Sequence, residues 1–469
     1  MHVLAASIGA AMLVAAAVLP AQAADQNADQ RFVALYTKEW NWRIAQFGNQ
    51  DGKAVDDRLP KVDAATQDMR QHYWEDVMAA LNAIPRDRLS PREQINYDVY
   101  KPQIAAFIAD QKFRTYEMPA NSDSAFWSGF ECGHCRSVQD YRNWISQISD
   151  IPRYFHEQTD EMRAGLKRGF TPPQVTLQGR DKSISGIADE KPEDTPFYVP
   201  FKTMDGIAPA DQTALRAEAV AAIRDKVQPA YTELLKFWND TYVPGARKTL
   251  AADDLPDGKA FYQSQILEYT TLDWTPEKIH QIGLDEVAKI HQQMLDEMKK
   301  TGFKGDFPAF LKFLRTDPQF YAKTPQELLD HAAWVAKEFD GVASRYFGLL
   351  PRARFAIKPV PADIAPFWTS GRGGPGVYFV NTYDLPHRPL YNLPALTLHE
   401  SAPGHAWQMP LAMEDKSLPD FRRYTYISAY GEGWALYCEW LGDEMGIYKT
   451  PYQRFGMLGY QIWRAVRLV

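Results

Sequence analysis

Two histidines and three glutamates in the last quarter of the chain have the types and spacing for hydrolytic metal chemistry. His399 and Glu400 stand together in LTLHESAPGHAWQ, residues 396–408, and His405 follows six positions after the first histidine. Glu432 and Glu439 lie in GEGWALYCEW, residues 431–440. Cleaving an amide with zinc and water needs three protein ligands, an open position for the water, and a carboxylate to accept its proton. Neutral imidazole is the commonest metal ligand, and a glutamate beside it is placed to act as the base.

The spacing is the difficulty. On a regular helix, residues four apart point within about 40° of each other, whereas residues six apart diverge by roughly 120°. A straight helix therefore cannot aim His399 and His405 at one ion. Pro403 and Gly404 stand between them. Proline removes a backbone donor, and glycine admits torsions closed to other residues. A kink or bulge there would bring His405 back beside His399; without it, the two are ordinary histidines near a helix interruption. Glu432 and Glu439, seven apart, share one helix face with Leu436 between them. Trp434, Ala435, Leu436, Tyr437 and Trp440 make that helix apolar nearly all round, which predicts burial and a partner for each carboxylate. Solvated glutamates are the plainer alternative. Spacing alone does not decide which of the two binds metal.

HESAPGHAWQ followed by GEGWALYCE resembles the bacterial DUF885 family, whose pattern is close to HE-x-x-PGH-x-x-Q and then EGWALY-x-E. The likeness extends back through GVYFVNTYDL and, more weakly, to the helices around residues 140–170. That family is similar to zinc peptidases of the gluzincin type, mainly helical with a small sheet beside the active-site cleft. The resemblance implies Zn2+ held by His399, His405 and Glu432, with Glu400 as general base and peptides as substrates. Glu439 would then orient a ligand or hold a histidine tautomer. In such enzymes an extended edge lines the cleft and the substrate backbone pairs with it. Gly376, Val377, Tyr378, Phe379 and Val380 are the candidates for that edge, with Gly373 and Gly374 allowing close approach; a purely structural hairpin is the alternative.

The elements that must position these residues are mostly helices. ATQDMRQHYWEDVMAALNAI places Met69, Tyr73, Val77, Leu81 and Ile84 at helical spacing, and residues 137–168 and 211–238 read as helical too. Thr275-Pro276 opens a helix carrying Ile279, Ile282, Val287, Ile290, Met294 and Met298, and Thr324-Pro325-Gln326-Glu327 is a capping box. Gly179 to Pro200 reads as a long connection. FAIKPVP and GVYFVNTY are strand-like runs separated by the turn-forming TSGRGGPG. The expectation is a mainly α fold: one large helical, metallopeptidase-like domain over residues 24–469 with a small β-sheet beside the cleft.

Of the 469 residues, 45% are hydrophobic and 24% charged, enough apolar content for a sizeable core, and the net charge is -7 without a basic run, which argues against nucleic acid. Residues 1–23 end an Ala/Val/Leu-rich core at Ala21-Gln22-Ala23 and read as a signal peptide, predicting an exported, periplasmic or secreted protein without stable membrane association. A retained anchor is the alternative, though the apolar run is short for a span. Cys132 and Cys135 form CGHC, which predicts a small disulfide or a thiol pair in a loop; a thiol-disulfide oxidoreductase would need a buried strand before it. Helical periodicity through Phe455, Leu458, Ile462, Val466 and Val469 reaches the last residue without a stop signal, so a C-terminally truncated form is expected. Relatives resembling this chain continue into a stretch with a further histidine for the oxyanion. Tyr430, Tyr437, Arg464 and Arg467 are the donors at hand here. A member that binds zinc or peptide without cleaving is the rival to catalysis.

Overall fold

The computed structural model describes residues 26–48, 55–121, 124–362 and 364–469. The expected leader over residues 1–23 lies outside these. Three large hydrophobic clusters organise most of the described residues, with two smaller ones beside them. In the first, α1 (Gln26–Phe47), α2 (Ala64–Asn82) and α3 (Pro91–Phe113) bury Phe32, Trp74, Leu81 and Tyr100 together. Glu39 and Arg43 pair inside this cluster at 2.8 Å, with Tyr100 donating to the same carboxylate at 3.0 Å. The inward face of α2 is Gln67, Arg70, Trp74, Val77 and Leu81. Met69, expected on it, is exposed, because the bulky Trp74 sets the contact with Phe107 and rotates the stripe.

The second cluster gathers α4 (Val138–Ser149), α5 (Ile151–Arg168), α6 (Asp181–Ala188), α7 (Pro209–Ala222) and α8 (Gln228–Phe237). The connection expected over 179–200 contains α6, which forms because Ile184 and Ile187, three apart, both reach this core. After α9 (Gly258–Thr270), the third cluster is built from α10 (Pro276–Lys300), α11 (Phe307–Thr316) and α12 (Pro325–Tyr346) with the C-terminal helices. The sequence signals for α10 and α12 hold: Thr275 caps Lys278 and Thr324 caps Glu327, each with proline at the first helical position. Glu327 itself accepts from Lys323 N–H at 2.7 Å, one residue earlier than a capping box requires.

Next come β1 (Ala356–Pro359), β2 (Gly371–Gly374) and β3 (Val377–Val380), in spatial order β1-β3-β2. β1 runs parallel to β3 and β2 antiparallel to it. The segment expected to be only a turn thus contributes a strand. Its glycines are poor strand formers, but pairing along β3 supplies what propensity lacks. Tyr378 and Val380 anchor the sheet on Leu328 and Ala332 of α12 and on Leu393. Four longer helices close the chain, α13 (Leu393–Glu400), α14 (His405–Glu414), α15 (Ser428–Glu444) and α16 (Pro451–Val466), with a single helical turn at Asp420–Arg423 between the second and third. The last ends at Val466, so Val469 falls beyond the helix. The fold is mainly α with one small sheet, as expected. Among the described residues, no helix is long and apolar enough to cross a membrane.

Candidate metal centre

The chain solves the spacing problem by ending one helix and starting another. His399 and Glu400 complete α13; Ser401 then leaves helical torsions, with φ -101° and ψ -103°. A turn containing a cis Ala402–Pro403 peptide follows, and His405 opens α14. Gly404 N–H donates back to the Leu398 carbonyl at 3.0 Å. A Cβ at Gly404 would fall within the contact distance of the His399 carbonyl oxygen, so only glycine permits this fold-back. The imidazoles end with ring centroids 4.9 Å apart and planes at 87°.

Both rings present Nε2 to one carboxylate. Glu432, in the second turn of α15, lies 3.4 Å from His399 Nε2 and 3.7 Å from His405 Nε2. The His399 and His405 imidazoles facing it hold this carboxyl well below the usual carboxylate range. Tyr426 O–H donates to Glu432 Oε1 at 2.6 Å. Sequence reasoning missed Tyr426: it is one of several tyrosines in YTYISAY, and nothing in the spacing marks it.

Glu439 is two turns further along α15 and fully buried. Its Oε1 lies 2.7 Å from His399 Nδ1. Arg464 of α16 grips the same carboxylate with two bonds, at 2.7 and 3.1 Å, and Tyr448 O–H donates to its backbone carbonyl at 2.6 Å. A carboxylate fixed in this way accepts Nδ1–H and leaves Nε2 as the nitrogen facing the cluster, with the proton that a metal would displace. Burial pulls the His399 pKa down, but Glu432, Glu439 and Glu400 outweigh it and push it up to about 9.

Glu400 is the second carboxylate at the centre. His399, Glu400 and His405 offer ligand atoms all within 4.8 Å of one another. Burial raises the Glu400 pKa, while both histidines and the Gly373 N–H pull it back. That N–H donates to Glu400 Oε2 at 2.6 Å. Gly373 must be glycine, since a Cβ there would collide with the Glu400 backbone. The two carboxylates therefore differ physically. Glu432 faces both Nε2 atoms from a half-exposed position, and Glu400 is largely buried at the cavity wall and aimed by an edge strand.

Two expectations need correction. β3 is the central strand, flanked by β1 and β2, so the edge proposed at Gly376, Val377, Tyr378, Phe379 and Val380 has no free side to offer a substrate. Tyr378 and Val380 are moreover buried. The edge beside the centre is β2. Asn381 N–H bonds the Ser370 carbonyl, so by alternation Gly371 and Gly373 turn their polar groups away from β3. Nor is α15 buried all round: Leu436, Tyr437 and Trp440 are exposed, and only the Ala435, Cys438 and Glu439 side is covered. Aromatic residues at a cleft rim mimic a buried helix in sequence.

Among the donors expected for an oxyanion, Arg464 is committed to Glu439, Tyr430 and Tyr437 are exposed, and Arg467 lies over the Trp463 ring. Cys132 and Cys135 form a disulfide within a loop; α4 starts at Val138, capped by Ser137 and Asp140. No strand precedes it among the described residues.

A family profile described as "Bacterial protein of unknown function (DUF885)" matches residues 44–469. No curated protein matches the chain. Among solved structures, a candidate lipoprotein from Colwellia psychrerythraea is similar, with TM-score 0.81 and 21% identity, covering 95% of this chain and 82% of that one. A candidate lipoprotein of unknown function from Shewanella oneidensis matches with TM-score 0.57 and 14% identity, over 94% of this chain and 82% of that one. At these identities the likeness speaks for the fold.

Proposed function

The chain belongs to the DUF885 family, and from that premise we propose that it is an exported zinc-dependent peptidase of the gluzincin type. The observation that carries this reading is the convergence of His399 Nε2 and His405 Nε2 on Glu432, with the largely buried Glu400 inside the same cluster. Two imidazole nitrogens and one carboxylate are the donor set of a catalytic zinc site with an open position, and the Nε2 that Glu439 directs from His399 fits it. His399, His405 and Glu432 would hold the ion. Zinc there would supply Lewis acidity towards water and the scissile carbonyl.

The remaining chemistry belongs to the chain. Glu400, held by Gly373 N–H and raised by burial, takes the proton of the attacking water and passes it to the leaving amine. Water adds across the amide, giving a carboxylic acid and an amine. Tyr426, released from Glu432, donates to the developing oxyanion. The outer edge of β2, at Gly371, receives the substrate backbone in place of β3, while Gly373 N–H stays with Glu400. Export is supported by the signal-like residues 1–23 and by the candidate lipoproteins that share the fold.

Peptide digests analysed by mass spectrometry, run beside elemental analysis, test the proposal. Wild-type protein should bind zinc and cleave, and Glu400→Gln should keep the metal and lose at least about 10³-fold in kcat. Zinc binding with no cleavage of any peptide would favour the capture reading instead.

A further inference from the structure

The cleft beside the centre opens into a cavity of about 960 Å³. One wall is apolar, including Met294, Phe307, Leu311 and Phe455; the floor is the face of α13 carrying Asn392, Leu396 and Glu400. Three guanidinium groups also line it. Arg464 is taken by Glu439, and Arg467 is exposed over Trp463. Arg388, just before α13, is different. Its Nη1 reaches Ser370 Oγ only at 3.5 Å, its Nε is buried without a hydrogen-bond partner, and no described carboxylate pairs with it.

An arginine that lines a largely apolar cavity without a carboxylate of its own is a charge short of a partner, and the acceptor that matches its guanidinium fork is a carboxylate. Position adds the rest. Asn392, Leu396 and Glu400 are one turn apart, so α13 rises about 12 Å between the Arg388 end and the centre. That is the length of roughly two to four extended residues. We propose that Arg388 anchors the C-terminal carboxylate of a short peptide lying along this cavity, so that the chain trims peptides near their carboxyl end. The apolar wall then receives the side chains between the anchor and the scissile bond. This inference rests on the peptidase reading for its cleavage step, but the carboxylate site itself does not.

Calorimetric binding to Glu400→Gln protein, which prevents turnover, tests it directly. The probes are the tripeptide Ala-Leu-Phe as free acid, the same tripeptide amidated, and amidated Ala-Leu-Asp. The free acid should bind at least about tenfold tighter than its amide, and adding Arg388→Gln should shrink that ratio to within about twofold, with Arg388→Lys intermediate. Equal binding of acid and amide, or no binding of any tripeptide, overturns the proposal. Amidated Ala-Leu-Asp binding as tightly as the free acid overturns it too, since the site would then read an acidic side chain. Should Arg388→Gln fail to fold, as judged by its melt, the acid-to-amide ratio and Arg388→Lys still decide. Zinc content of the same samples separates the two claims. A carboxylate preference without zinc removes the peptidase reading and leaves the anchor; about one zinc with no carboxylate preference does the reverse.

Discussion

At the residue scale, a few side chains divide the work. Glu439 touches His399 but not the open face of the cluster, and Arg464 and Tyr448 fix it there. Glu439→Gln should therefore weaken zinc about 10–100-fold, measured by competition with a chromogenic chelator, rather than abolish it. Unchanged affinity would remove Glu439 from the site. Tyr426 acts differently. Tyr426→Phe should lower kcat about 10²–10³-fold with zinc content unaltered, because it removes one hydrogen bond donor and no ligand. These roles were unequally legible. His399, Glu400, His405, Glu432 and Glu439 stood out because the two motifs are distinctive. Tyr426 and Arg388 did not, since each becomes informative only through what the fold sets beside it: the Glu432 carboxylate for one, the cavity wall for the other.

At the element scale, the informative feature is the join between α13 and α14. A kinked helix was expected, and two helices joined by a tight turn are found. Pro403 and Gly404 announce an interruption, but only the Gly404 bond to Leu398 shows how the chain returns. Gly404→Ala should cost about 1–3 kcal/mol by overpacking and take zinc binding with it, read as a lower Tm and a loss of metal. A cap far from the centre gives the contrast. Thr450 accepts from Gln453 N–H at the start of α16, and Thr450→Ala should cost about 1 kcal/mol with zinc content unchanged. Equal metal loss in both variants would mean the turn is not special. β2 shows why part of the sheet escaped sequence reading. Gly-Arg-Gly-Gly has the composition of a turn, and it is a strand because β3 pairs with one side and Glu400 takes a bond from the other. Tertiary partners override local preference here.

At the scale of the whole molecule, helices distant in sequence also meet away from the centre. Asp110 of α3 faces Glu268 of α9, and burial followed by that like charge pushes its pKa up to about 6. A carboxyl raised above its unfolded value binds its proton first in the folded state, so stability rises as pH falls from about 7 to about 4. Asp110→Asn should stabilise by on the order of 1–2 kcal/mol at pH 7.5 and flatten that dependence, while keeping the acceptor for Thr115. A denaturation series across pH checks both parts; destabilisation at pH 7.5 would contradict the electrostatic reading. The central claim remains the metal. Elemental analysis of purified wild-type and Glu432→Gln protein tests it most directly, with a melt to verify folding. About one zinc per wild-type chain and a large loss in the variant are expected. Folded wild-type protein that takes up no zinc would contradict the claim.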